Sequence, residues 1–210
     1  MTPGRGWKRT VNRNKFLRRL YDLSKKVLNI VPFYLFLEGF SDESLLNIKP
    51  DLEPCETAWL GPSDMKAISV HPEVPESEEA LLKRLSQGYI ALGIKHHHEI
   101  ISYMWCNLQE CDSNYIKFKL KKDEAYLTYA RTFNAYRGRN LAPYLRLEFY
   151  RQLKKMGRVK ILSISDYFNE PALRFKEKLK AQPVKLYVTI TFFGKSRRTI
   201  PLRSYVLRKA

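Results

Sequence analysis

Between two apolar runs that read as strands, Ala125 to Phe133 and Val159 to Ile164, the chain places Leu141, Leu145, Phe149, Leu153 and Met156 at helical spacing. Gly157 stands where that helix would stop. A helix joining two strands is a crossover, and it constrains everything built around it. Pro171 to Lys180 reads as another helix, with Ala172, Phe175 and Leu179 on one face. Val184, Leu186, Val188, Ile190 and Phe192 then alternate with polar partners at period two, and Arg197 to Leu207 offers a last edge strand. Upstream, Ser63-Asp64 and Ser77-Glu78-Glu79 mark two helix starts. Gly88 to Ile94 and Ile100 to Leu108 flank His96-His97-His98 as a hairpin flanks its tip. Antiparallel meanders with one crossover predict an α+β fold: a mixed, mainly antiparallel sheet flanked by helices.

The material for a core is present. The chain has 210 residues, of which 44% are hydrophobic and 13% aromatic, so most of it is expected to fold as one domain with an appendage. No segment reaches the roughly 20 apolar residues of a membrane-spanning helix. Cys55, Cys106 and Cys111 are too few for a disulfide framework and point to reduced thiols and a cytoplasmic setting. Cys106 and Cys111 lack a second pair at zinc spacing, and no metal is expected.

The net charge of +17 is unevenly spread. The first 30 residues hold nine Lys/Arg against Asp22, residues 41 to 80 hold ten Asp/Glu against two Lys, and the chain beyond Arg151 is basic again. This asymmetry implies an acidic partner: nucleic acid, anionic lipid or a phosphorylated ligand. Lys15 to Leu28 forms a cationic amphipathic helix on paper, leading into Ile30 to Leu37. Most such helices face a core, so a helix and strand packed on the main domain is the plainer reading. The alternative is a segment, residues 1–40, lying in an anionic membrane surface. Residues 1–55 are thus expected to be a basic extension and acidic linker, and 56–210 the main domain. A secretory signal fits poorly, because the charged region is too long and no small-residue cleavage site follows.

The turn Tyr136-Arg-Gly-Arg-Asn-Leu-Ala-Pro143 feeds the strongest helix of the chain. A helix start offers unpaired N–H groups and the positive end of the dipole, to which Arg137 and Arg139 add full charges. Gly138 permits a tight turn, Ala142 keeps bulk away, and Pro143 suits the first helical turn. A pyrophosphate would fit here; a solvated loop is the plain alternative.

Arg137-Gly-Arg-Asn-Leu-Ala142 resembles the Arg/Gln-x-x-Gly-x-Gly/Ala signature of the GCN5-related N-acetyltransferase (GNAT) superfamily, with Asn140 where the family has Gly. Asn tolerates the left-handed backbone that such a position requires. Asn169-Glu-Pro-Ala-Leu-Arg-Phe-Lys-Glu-Lys-Leu179 resembles the family's later Asn-x-x-Ala-x-x-x-Tyr-x-Lys segment, with Lys176 in place of Tyr. The resemblance covers roughly residues 57 to 210. It implies an acyl-CoA cosubstrate, its pantetheine arm along Arg131, Thr132 and Phe133, and its pyrophosphate on Arg137, Gly138, Arg139, Asn140, Leu141 and Ala142. Asn169, Ala172 and Phe175 would flank the thiol-bearing end. Lys176 stands at the position of the family's general acid, with Tyr167 or a water as stand-in.

A base must take the acceptor's proton, and Glu124 and Tyr129, on or beside the strand before the loop, are candidates by position. Ser165 and Asp166 follow a strand end, where functional side chains or a helix cap are found. Three consecutive histidines at a hairpin tip cannot converge and read as a solvated turn. No cysteine lies at a position matched to a covalent intermediate. The expectation is an acyltransferase moving an acetyl group from acetyl-CoA to an amine or hydroxyl by direct attack in a ternary complex. It would be cytoplasmic, and residues 1–40 would hold it at the inner membrane face if they bind lipid. The alternative is a catalytically degenerate relative docking an anionic membrane or nucleic acid. No helix-turn-helix, zinc-finger or RNP-type motif speaks for nucleic acid. Neither the acceptor nor the oligomeric state is legible in the sequence.

Overall fold

The computed structural model describes residues 28–39, 48–193 and 195–206. Its strands are β1 (Leu28–Glu38), β2 (Glu56–Leu60), β3 (Tyr89–His96), β4 (Glu99–Asn107), β5 (Glu110–Asp112), β6 (Lys117–Lys119), β7 (Glu124–Thr132), β8 (Lys160–Asp166), β9 (Gln182–Phe192) and β10 (Ser196–Ser204). The helices are α1 (Pro62–Ser69), α2 (Glu78–Ser86), α3 (Leu141–Lys155) and α4 (Glu170–Lys178). Eight strands form one sheet in the order β10-β9-β1-β8-β7-β4-β3-β2, and β5 and β6 form a separate hairpin. Among the described residues only β7 and β8 run parallel, joined by the crossover helix α3. The expected α+β class, with a mixed and mainly antiparallel sheet, is the observed one.

Period two divides the core. On one face Leu92, Ile94, Met104, Cys106 and Leu127 pack with Leu145, Phe149 and Leu153 of α3. On the other, Ala91, Tyr103 and Trp105 pack with Met65, Ile68 and Leu81 of α1 and α2. Successive strand residues point to opposite faces, so each strand serves both layers. Ser77 caps α2 by accepting the Ala80 N–H at 3.3 Å. The first helix starts one residue earlier than expected, with Pro62 in its first turn and Asp64 accepting the Gly61 N–H at 2.9 Å. His97 and His98 form the hairpin turn, both at positive φ (48° and 69°).

The segment expected to be an extension supplies a strand of the sheet. β1 is an interior strand: Phe33–Glu38 pairs antiparallel with β8, and Leu28–Leu37 pairs with β9. Phe33, Leu35, Phe36 and Leu37 are buried inside the protein, whereas Leu28 and Ile30 at the start of the strand are exposed. The amphipathic stretch of residues 15–27 lies outside the described residues. Glu56–Leu60, at the start of the expected main domain, pairs with β3 as the edge strand β2. Among the described residues no helix is long and apolar enough to cross a membrane.

Candidate functional site

The parallel ladder of β7 and β8 runs only from Glu124↔Lys160 to Leu127↔Ser163. Both strands continue, but apart: Ala130 pairs with Met104 of β4, and Asp166 pairs with Phe33 of β1. The cause is a bulge at Tyr129 (φ 42°), which sits between Thr128↔Trp105 and Ala130↔Met104 and bends β7 away. A cavity of about 660 Å³ opens in the gap. Tyr129 and Asp166 line it from the strands, and Asn169, Ala172, Phe175 and Lys176 from the start and inner face of α4. Asn169 is also the helix cap, its Oδ1 accepting the Ala172 N–H at 3.2 Å.

A crossover helix begins where its first strand ends, so the start of α3 lies at this same end of the sheet. Gly138 (φ 79°) and Asn140 (φ 56°) are both left-handed there. Asn140 thus adopts the conformation that its tolerance of this region predicts. A side chain at Gly138 would meet nothing within 4 Å, so the backbone is open to an approaching ligand. The Arg137 N–H bonds the Asn134 carbonyl (3.3 Å) and the Tyr144 N–H the Asn140 carbonyl (3.1 Å). Between them the N–H groups of Gly138, Arg139 and Asn140 meet no backbone acceptor among the described residues. Arg137 and Arg139 are exposed. One acid faces this turn. Asp51 donates its N–H to the Arg139 carbonyl (3.0 Å) and accepts from Asn140 Nδ2 (2.6 Å), while Lys178 donates to Asn140 Oδ1 (2.5 Å).

Behind the cavity lies a buried charged cluster. Glu38 is 0% exposed, Lys176 2% and Arg146 5%. Lys176 Nζ donates to Glu38 Oε1 at 2.5 Å, and the Ser163 hydroxyl donates to the same oxygen. On Oε2, the Tyr150 hydroxyl donates and Arg146 Nε approaches to 3.3 Å. Burial alone would raise the Glu38 carboxyl, but Arg146 and Lys176 outweigh it and hold it down at about 2. Burial pulls Lys176 down to about 8, with Glu38 opposing and Arg146 adding to the fall. Near the far wall of the cavity, the Tyr115 hydroxyl donates to Asp166 Oδ1 at 2.6 Å. Burial and this bond raise the Tyr115 phenol to about 12.

The structure brings together Tyr129, Asn169, Ala172, Phe175 and Lys176 around one cavity, and it separates three other groups of expected site residues from it. Glu124 sits at the opposite end of β7 from Tyr129, where the ladder is closed, and accepts the Lys121 N–H at 3.0 Å. Tyr167 stacks on Tyr34 (5.3 Å between centroids) instead of facing the cavity. Of the expected pantetheine segment, the Phe133 N–H is taken by the Ile101 carbonyl and the Thr132 carbonyl by Arg137 Nε. Phe133 itself is buried under His71. Arg131 turns to the Tyr129 hydroxyl (2.8 Å) and the Glu73 carbonyl. The edge of β7 left without a β8 partner therefore begins at Thr128, earlier than expected. Sequence reading missed Glu38, Arg146 and Tyr115. The signal for Arg146 was a lone cation between Leu145 and Leu147, on a helix whose other charges cluster toward its end.

No family model and no curated protein matches the sequence. Solved structures do. A GNAT-family protein from Novosphingobium aromaticivorans superposes with a TM-score of 0.53 at 16% identity, over 77% of this chain and 63% of its own. A tandem GNAT protein of the clavulanic acid biosynthesis pathway gives 0.58 at 12%, over 85% and 59%. A GCN5-related N-acetyltransferase-like protein from Streptococcus suis gives 0.53 at 15%, over 86% and 69%. The first two are matched over less than two thirds of their length. The fold of this chain is the GNAT fold.

Proposed function

We propose that the protein is an acyl-CoA-dependent acyltransferase, moving an acetyl group to an amine or hydroxyl by direct attack in a ternary complex. The observation that carries this reading is the coincidence, at one end of the sheet, of the gap between β7 and β8 with the open, cationic turn that begins α3. Arg137, Arg139 and the N–H groups of Gly138 to Asn140 suit a pyrophosphate. The unpaired edge of β7 from Thr128 onward suits an extended amide-bearing arm. A bound acyl-CoA would supply an activated thioester carbonyl.

The chain's own residues divide the remaining work. Asp166, held by Tyr115 at the end of β8, is placed to take a proton from an attacking amine, and Tyr129 can do so as its own hydroxyl proton passes to Glu76, to which it donates at 3.1 Å. Lys176 lines the same cavity and carries a proton at Nζ, which suits it to protonate a departing thiolate. Its lowered proton affinity makes that transfer easier than from an exposed lysine. Residues 128–131 would orient the carbonyl against the acceptor.

Calorimetric titration with acetyl-CoA tests the reading, with Arg137→Ala/Arg139→Ala alongside. Micromolar binding, weakened at least tenfold in the double variant, is the expected result. Absence of binding at millimolar ligand would overturn it.

A further inference from the structure

We infer that the cavity between β7 and β8 holds a carboxylate-binding site on its helix side, formed by Arg146 with Lys176 beside it, and that the acyl group or the acceptor ends in a carboxylate. The identity of the cavity's occupants rests on the acyltransferase reading; the anion site itself does not.

The argument is one of charge and hydrogen-bond balance. Two cations, Arg146 and Lys176, and one carboxylate, Glu38, are buried together. Both oxygens of Glu38 are already engaged, one by Lys176 and Ser163 and the other by Tyr150 and Arg146 Nε. Arg146 Nη1 is buried and meets no acceptor among the described residues. A buried donor left unmatched costs about 1–3 kcal/mol, and more when charged, so such groups are normally paired. Among the described residues no acid other than Glu38 lies within ion-pair distance of Arg146 or Lys176. Asp166 accepts from Tyr115 at 2.6 Å, and Asp112 is bridged by Lys117 at 3.0 Å. The Arg146 guanidinium lies 5.4 Å from the Phe175 ring centre, and Arg146, Phe175 and Lys176 all line the cavity. A planar fork with an unmatched donor suits a carboxylate, which it can grip with two parallel bonds.

The cavity lies between α4, whose Asn169 and Ala172 line it, and the strand ends, so two sources of carboxylate can reach it. One is a dicarboxylic acyl chain, and the other is an acceptor that carries its own carboxylate. Calorimetry on the full-length protein distinguishes them, using acetyl-CoA, succinyl-CoA, and free succinate and glutamate in the presence of CoA. The Arg146→Met variant is measured alongside, and its thermal melt checks folding. Met leaves a one-to-one Glu38–Lys176 pair, so its melting temperature is expected to stay within a few degrees of the parent.

Succinyl-CoA bound at least tenfold tighter than acetyl-CoA, with the advantage lost in Arg146→Met, supports the acyl source. Free succinate or glutamate binding beside CoA, abolished in Arg146→Met, supports the acceptor source. Acetyl-CoA binding with no response to any carboxylate overturns the inference and leaves the acyltransferase reading standing. Carboxylate binding without any CoA binding does the reverse. Because the comparison between ligands is made on the parent protein, a variant that fails to fold does not remove the test.

Discussion

Both oxygens of Glu38 are satisfied by groups that come from Arg146, Tyr150, Ser163 and Lys176, far along the chain. This is why its role was invisible in the sequence: it reads only as the acid that ends an apolar run, and its partners emerge only when β1 enters the sheet. Lys176 differs, since the resemblance of the block Asn169 to Leu179 to a family segment drew attention to it, and a contiguous block is local information. The Glu38 carboxyl falls from an ordinary 4.5 to about 2 in the folded protein. A carboxyl lowered on folding contributes stability that is present above its unfolded value and is lost as pH falls through the folded value. The protein is therefore expected to lose about 3 kcal/mol between roughly pH 4.5 and pH 2 from this group alone. Denaturant melts across that window, parent against Glu38→Gln, check it. Glu38→Gln should cost about 3–5 kcal/mol at neutral pH, by leaving two buried cations unpaired, and should flatten the acid limb.

At the scale of elements, the turn before α3 shows what local chemistry can and cannot disclose. Gly138 and Asn140 at left-handed angles were legible, since few other residues adopt them. The neighbouring Asp51 was not, because it arrives from a segment of Pro and acidic residues that carries no periodicity. Its carboxylate sits where an anionic ligand would gain from the same dipole and the same arginines. Asp51→Asn keeps the hydrogen-bonding capacity and removes the charge, so acetyl-CoA is expected to bind roughly two- to fivefold tighter. Titration of the two proteins at equal, low ionic strength measures the ratio, and unchanged affinity would show that Asp51 does not compete. The bulge at Tyr129 was equally hidden. A residue extruded from a ladder depends on its partner strand, and β4 lies elsewhere in the sequence.

For the molecule as a whole, the order of elements from α1 to β10 was readable, because period and punctuation are properties of contiguous chain. Strand order was not. The apolar run of β1 looked like an appendage, whereas it fills the middle of the sheet between β8 and β9. A chain lacking residues 1–38 should therefore expose two unpaired interior edges and fail to fold. Expression of residues 39–210 beside the full chain, compared by soluble yield and a cooperative melt, checks this. A soluble, cooperatively melting fragment would show that β8 and β9 can close on each other.

The position of β1 also sets an order of events in time. The strand is the first of the described elements to leave a ribosome, yet its neighbours β8 and β9 begin only at Lys160 and Gln182, the farther ending at Phe192. At roughly 5–20 residues per second, Leu28–Glu38 waits on the order of 10–30 s with an aromatic, unpaired edge. Native assembly is then largely post-translational and slow for the protein's size, since its central pairings close the longest loops in the chain. During that interval the newborn strand is the segment most in need of a chaperone's shelter.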